Sequence, residues 1–308
     1  MKSNAYIEIA PGVWSMKIVF VNIYMVTTGI DEWVLVDTGL KGQTGKVIEM
    51  AEELFGEQFP PSAIILTHGH FDHVGGVKEL LKKWPVKVYA HPLELPYLTG
   101  LSSYPPPDPT VGGGLMSFLS FVYPKGPVNL GEDILPLDKN GTLPFMADWK
   151  YIHTPGHTAG HVSLFRPEDK VLIVGDAFVN THAESMLSVI AQKKELSGPP
   201  KYFTHNWLAA AMSVKKLRDL KPEVAGSGHG PAISGDELTQ GLGNLADNFQ
   251  RMAIPRHGRY VREPAKANKK GVQYLPPEPL NKTLVFSLFA LSAVLAFGVV
   301  SRMKNGTL

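Results

Sequence analysis

The chain has 308 residues, 44% of them hydrophobic and 19% charged, with a formal net charge of +2 and no cysteine. That size suits one large α/β domain with an appendage, and the lack of a long basic stripe excludes a dedicated nucleic-acid binder. Without cysteine there is no disulfide, no zinc–thiolate site and no cysteine nucleophile, so a metal must be held by His, Asp and Glu. The N-terminal MKSNAYIEIAPGVWS lacks the apolar core of a signal peptide.

Short strands alternate with helices along the chain. VWSMKIVFVNIYMVTTG followed by EWVLVDTG predicts a hairpin or meander, with turn residues at Thr28–Glu32. Val47, Met50, Ala51 and Leu54 fall at i, i+3, i+4 and i+7, the pattern of an amphipathic helix over Lys46–Phe55. SAIILT reads as a buried strand, Val74–Trp84 as a helix stopped by Pro85, and VKVYAH as the next strand. Between Pro92 and Lys150 the periodicity weakens. There YPPPDPTVGGGLMSFLSFVYPKGP mixes Pro and Gly with large apolar residues, which fits either a surface loop over the core or a lid over a binding site. KYIHT, HVSLFR and KVLIVGD predict three more strands, Asn206–Leu220 a helix, EVAGSGH a short strand, and Asp236–Met252 a last helix.

The main domain is expected over 1–254. A basic, Pro-containing extension follows at 255–282, with seven Lys/Arg and two acids between Arg256 and Lys282. Leu284–Val300 then runs for 17 residues without a charge. As a helix it reaches about 25 Å, the low end for crossing a bilayer. This predicts a C-terminal transmembrane helix over 283–301 and a polar tail at 302–308. With the positive-inside rule it predicts membrane localisation by a single-pass anchor, the main domain facing the cytoplasm. A buried core helix is the competing reading.

The chemistry gathers at strand ends. His68, His70, Asp72 and His73 lie within six positions directly after the apolar SAIILT. His153, His157 and His161 lie in HTPGHTAGH, Asp176 in VGDAF and His229 in GSGHGP. Loops at sheet ends commonly build sites. His68 and His70, one residue apart, share a side in extended chain, while Asp72 and His73 begin the next helix and aim elsewhere. One short loop can thus feed two adjacent metal positions, with Gly75 and Gly76 letting the helix pack closely.

His-X-His-X-Asp-His, then Thr-Pro-Gly-His-Thr, then Gly-Asp, then a late Gly-His together resemble the metallo-β-lactamase-fold superfamily, and within it the glyoxalase II-like hydrolases. The match runs in order over roughly residues 6 to 250. The resemblance implies an α/β fold, an αββα sandwich of two mixed β-sheets flanked by helices. It implies that His68, His70 and His157 bind a first divalent ion, that Asp72, His73 and His229 bind a second, and that Asp176 bridges them. The nitrogen and oxygen donors suit zinc, with iron or manganese as alternatives. Asp37 in LVDTG matches a family position that supports a ligand from behind; an ordinary strand-end turn is the alternative. The main zinc β-lactamases carry cysteine where Asp176 stands, so β-lactam hydrolysis is not the expected task. The glutathione-binding C-terminal domain of classical glyoxalase II is not evident.

The expected function is hydrolysis of an ester, thioester or lactone bond in a small molecule by a metal-bound hydroxide, with Asp72 and Asp176 as the catalytic carboxylates. The loop around Leu115–Tyr123 points to an acyl or otherwise hydrophobic substrate. The alternatives are an iron-dependent persulfide dioxygenase-like oxidoreductase and a membrane-tethered binding module. His153 and His161 are expected to brace strands, and His182 and His205 to sit near the pocket mouth. Oligomeric state is not legible.

Overall fold

The computed structural model describes residues 6–278. Among these, seven strands form one sheet in chain order: β1 (Tyr6–Ala10), β2 (Val13–Ile18), β3 (Val21–Gly29), β4 (Glu32–Val36), β5 (Ala63–Ile65), β6 (Val88–Ala90) and β7 (Ile134–Pro136). The first four run antiparallel and the last four parallel, so the sheet is mixed. A second mixed sheet has the order β12-β11-β10-β9-β8, from β8 (Lys150–His153), β9 (Val162–Arg166), β10 (Val171–Ile173), β11 (Val224–Gly226) and β12 (Ile233–Ser234). A separate hairpin pairs β13 (Lys266–Asn268) with β14 (Gly271–Tyr274).

The layering follows from strand alternation. Tyr24, Val26, Val34 and Val36 face inward and pack with Val162, Leu164, Val171 and Ile173 of the second sheet. Their neighbours Ile23, Met25, Trp33 and Leu35 face the other way, onto α1 (Thr44–Phe55) and the short helices α2 (Phe71–Val74) and α3 (Val77–Lys83). In α1, Val47, Met50 and Ala51 are the buried stripe, as their spacing requires. The second sheet's outer face, with Phe165, Leu172 and Ala225, is covered by α7 (Trp207–Asp219) and α8 (Gly235–Asp247). The result is the expected αββα sandwich. Four shorter helices complete the described chain: α4 (Leu95–Leu98), α5 (Leu115–Phe118), α6 (Met186–Ala191) and α9 (Phe249–Met252).

Two helices differ from the sequence reading. The single helix expected over Val74–Trp84 is split at Gly75–Gly76 into α2 and α3. The helix expected over Asp236–Met252 is interrupted at Asn248. The compact unit runs on to Pro276, with Arg259 donating its backbone N–H to Asp108 Oδ2 and Ala265 to the His205 carbonyl.

The transmembrane element of the fold class, and the membrane localisation built on it, are corrected. Among the described residues no helix is long and apolar enough to cross a membrane, and the segment 283–301 lies outside them. Its uncharged run was a weak basis for a span, since about 25 Å of helix falls short of a hydrocarbon core about 30 Å thick.

Candidate metal centre

The loop after β5 begins with Thr67, whose backbone N–H and hydroxyl both donate to Asp37 at 2.8 and 2.7 Å. Asp37 is the strand-end residue of LVDTG and adopts a left-handed backbone (φ 62). Thr67 Oγ1, having donated to Asp37, accepts from His68 Nδ1 at 3.1 Å, which leaves His68 Nε2 as a lone pair. Asp37 Oδ2 also meets His73 Nδ1 at 2.7 Å, so His73 likewise presents Nε2. One buried carboxylate thereby orients two imidazoles.

Close packing at α2 explains the glycines that follow. A Cβ on Gly75 would lie 2.4 Å from the Lys41 backbone nitrogen and 2.6 Å from the Phe71 carbonyl, and one on Gly76 2.6 Å from the Thr38 carbonyl. Only glycine lets the helix bearing Asp72 and His73 sit this close to the β4 loop.

The other ligand-bearing loops arrive at the same edge. His157 Nδ1 reaches Thr204 Oγ1 at 3.3 Å, whose own proton goes to the Pro200 carbonyl; His157 Nε2 then faces His70 Nδ1 at 2.9 Å. Asp176 follows β10, and its backbone N–H donates to His161 Nε2 at 2.8 Å. His161 Nδ1 meets Thr154 Oγ1, so this histidine braces two loops, as expected. His229 Nδ1 donates to the Phe20 carbonyl at 2.8 Å, turning Nε2 toward Asp176 Oδ2 at 3.2 Å and Asp72 Oδ2 at 3.6 Å. That carbonyl is presented by a three-residue turn in which Val19 is left-handed (φ 61) and Phe20 N–H bonds back to Ile18. A β-branched residue there is strained.

All seven expected residues converge. Ligand atoms of His68, His70 and His157 lie within 4.8 Å of one another, as do those of Asp72, His73 and His229, and those of His68, His73 and Asp176. All are buried. The electrostatics suit a cation. Burial pushes His68 down, with His73 and His70 adding to it, and burial with His157 does the same to His70. Burial also opposes charge on His73 and His229, but Asp37 and Asp176 lift His73 well above its ordinary value and Asp176 lifts His229. Against burial, which would raise it, Asp176 is held well below the carboxylate range by His229 and His73. Burial raises Asp72, with His73 and His229 opposing.

The decisive test of fit is hydrogen bonding. Buried His68 Nε2, His73 Nε2 and Asp176 Oδ1 have no hydrogen-bond partner, although buried polar atoms almost always find one. A divalent cation would satisfy lone pairs so arranged, and its charge would stand in for a proton on His73 and on His229. The donors fit metal.

Sequence reading missed the group that ties the loops together. Glu94, fully buried ahead of α4, accepts from Thr158 Oγ1 and Gly160 N–H at 2.7 and 2.8 Å through Oε1. Through Oε2 it accepts from Gly69 N–H at 3.1 Å and from the Tyr104 hydroxyl. It therefore joins the His68–His70 loop to the His157 loop. Burial raises its carboxyl, and these four donors oppose the rise. The only external hint is glycine at 69 and 160, where a Cβ would lie 2.6 Å from Tyr104 Oη and 2.8 Å from Glu94. Of the remaining histidines, His153 stacks on His91 at 4.1 Å, away from the cluster. His182 pairs with Glu184. His205 is buried, its ring 6.2 Å from that of His70.

Residues 16–229 match the family described as the metallo-beta-lactamase superfamily. The chain belongs to that superfamily. Its similarity to the probable metallo-hydrolase YflN of Bacillus subtilis is 41% identity over 251 residues, 81% of this chain and 95% of that one. A shorter match, 30% identical over 142 residues, covers 46% of the chain and 59% of hydroxyacylglutathione hydrolase GloC of Haemophilus influenzae. Among solved structures, TTHA1623 in a di-iron-bound form superposes with a TM-score of 0.51 at 28% identity, covering 75% of this chain and 95% of that one. For this metallo-beta-lactamase superfamily member, the N- and O-only donor set is suited to divalent metal without selecting which one.

Proposed function

We propose that this metal-dependent hydrolase of the metallo-beta-lactamase superfamily cleaves an ester, thioester or lactone bond in a small molecule at a two-ion centre. His68, His70 and His157 would hold one ion and Asp72, His73 and His229 the other, with Asp176 shared. Zinc is the first assignment, with iron or manganese as alternatives; the di-iron-bound TTHA1623 keeps iron in contention. When bound, such ions supply a water of lowered pKa and polarise a carbonyl.

The chain's own residues do the rest. Asp176 Oδ2 lies 3.2, 3.5 and 3.6 Å from the Nε2 atoms of His229, His157 and His73, central to both donor groups. Asp72 presents Oδ2 beside His229 and His73 and orients the attacking water there. Asp37, the Phe20 carbonyl and Thr204 hold three imidazoles in one tautomer, so no reorganisation is needed as charge develops. The Phe203 ring, stacked 4.4 Å from His70, and Phe20, stacked 6.2 Å from His229, exclude water from two sides. No protein nucleophile is required, which agrees with a chain lacking cysteine. The similarity to GloC, named a hydroxyacylglutathione hydrolase, supports the thioester among the three bonds.

The observation that carries the proposal is the overlap of three buried donor groups through His68, His73 and Asp176. The test is metal quantification together with an ester, thioester and lactone panel, with and without chelator. Two ions per chain and chelator-sensitive hydrolysis are expected. One iron per chain with oxygen uptake would refute the hydrolase reading.

A further inference from the structure

Three elements around the metal centre turn large apolar side chains to solvent. Leu115, Phe118, Phe121 and Val122 are 47%, 64%, 60% and 62% exposed, and Leu187 and Ile190 of α6 are 80% and 67% exposed. Residues 115, 118 and 121 recur at helical spacing, as do 187 and 190, so each element shows an apolar stripe on its outer side. Patches of this kind mark binding surfaces more often than accidents of composition.

The two stripes are held together. Met116 N–H donates to the Glu184 carbonyl at 3.1 Å, and a Cβ on Gly114 would lie 2.3 Å from that same oxygen. The third element is the β2–β3 turn, joined to α6 by Lys17 Nζ at 3.5 Å from the Val189 carbonyl and carrying Phe20. Its Val19 is 54% exposed.

The surface is continuous with the chemistry. Met116 and Tyr123, from the same segment as Phe118 and Phe121, pack with Phe203 and with Phe71. Phe71 lies between His70 and Asp72 in sequence, and its ring is 5.6 Å from Tyr123 and 6.3 Å from Phe203. No charged residue occurs from Val111 to Pro124 or within α6. These two elements therefore offer nothing to an ionic group.

We propose that this rim is the acyl subsite of the enzyme, and that the substrates are esters, thioesters or lactones of medium- to long-chain carboxylic acids; the inference rests on the hydrolase reading above. The carbonyl sits at the ligand cluster and the hydrocarbon lies outward over Phe71, Tyr123 and the two stripes. Continuity with the metal centre favours substrate over a membrane or a second copy, either of which would need only the outer face.

The test uses the full-length, metal-loaded protein and straight-chain carboxylates, the acid products of such cleavage, measured by calorimetry. Every acid carries the same metal-binding head, so the ratio of affinities isolates the chain. A chain covered on one side should gain about twofold in affinity per methylene, roughly sixtyfold from butanoate to decanoate. The triple substitution Phe118→Ser, Phe121→Ser, Leu187→Ser removes exposed side chains only, so folding is retained. It should cut that ratio below about fivefold. Equal affinities for butanoate and decanoate in the unsubstituted protein would overturn the proposal, as would a ratio that survives the triple substitution. So would flat affinities combined with binding to phosphatidylcholine vesicles or with dimerisation lost in the triple variant, which would make the rim a membrane or self-association surface. The readout needs no turnover. Chain-length discrimination without hydrolysis of any panel substrate would count against the hydrolase reading and leave the subsite standing.

Discussion

The loops that carry the candidate ligands and the rim beside them are built on opposite rules. In the loops almost every polar atom not aimed at the donor cluster has a partner. Asp37 and Glu94 between them accept from or meet seven groups. Glycines at 75, 76 and 160 let backbone press against backbone or carboxylate, and Gly69 lets it press against the Tyr104 hydroxyl. On the rim, apolar side chains face water and two buried hydroxyls go unpaired. The difference separates two demands: a reacting centre must be held within tenths of an ångström, whereas a surface that accepts hydrocarbon needs only area and shape. The first is costly to alter and the second cheap, and the contrast can be tested at both ends.

The largest effect is expected at Asp176. Asp176→Ala removes the carboxylate shared by the donor groups and should abolish turnover by about a thousandfold or more, with loss of at least one ion per chain by elemental analysis. Full activity would end the assignment of Asp176 as shared ligand. Glu94→Gln comes next. An amide cannot accept from all four donors, so both ligand loops loosen, and chelator competition should show ion affinity lowered about ten- to hundredfold. Unchanged affinity would show that Glu94 only fills space. Gly75→Ala forces a methyl against the Lys41 and Phe71 backbone and should cost about 3 kcal/mol in denaturant unfolding. On the rim, Phe121→Ala should stay within about 0.5 kcal/mol in the same assay. A comparable loss at both positions would erase the contrast.

A smaller effect concerns the histidine pair outside the centre. Burial and then the neighbouring His153 push His91 down to about 4, and burial likewise lowers His153. Both are therefore neutral in the fold at pH values where the unfolded chain takes up protons. Their contribution is complete above about 6.5, falls as pH drops through the window toward 4, and levels off below it. His91→Asn should flatten that part of the stability–pH curve. An identical slope in the variant would remove the pair from the account.

The legible part of this molecule is the part with period or with chemistry. Val47, Met50 and Ala51 announce α1, the alternation in EWVLV assigns two faces of β4, and THGHFDH shows its candidate ligands because histidines after a buried strand have few other uses. Glu94 was not legible. Nothing in HPLELPYL distinguishes it from a surface acid, since its partners lie 10, 25 and 64–66 residues away and only the fold brings them together. The β13–β14 hairpin was hidden for a different reason. Lys-Ala-Asn has little strand propensity, and the pairing is set by its turn, where Asn268 Oδ1 accepts the Lys270 N–H and Gly271 is left-handed. The tail misled because lack of charge over 17 residues is a compositional signal without length enough to decide.

Val19 shows what such a design implies for anyone trying to improve the protein. Glycine at this left-handed position would relax the turn by about 1 kcal/mol, so a selection for heat resistance alone would accept the exchange readily. Since glycine accepts the same left-handed backbone, the Phe20 carbonyl would stay in place and keep His229 facing inward. A hardier protein would be obtained without loosening the imidazole that this turn holds.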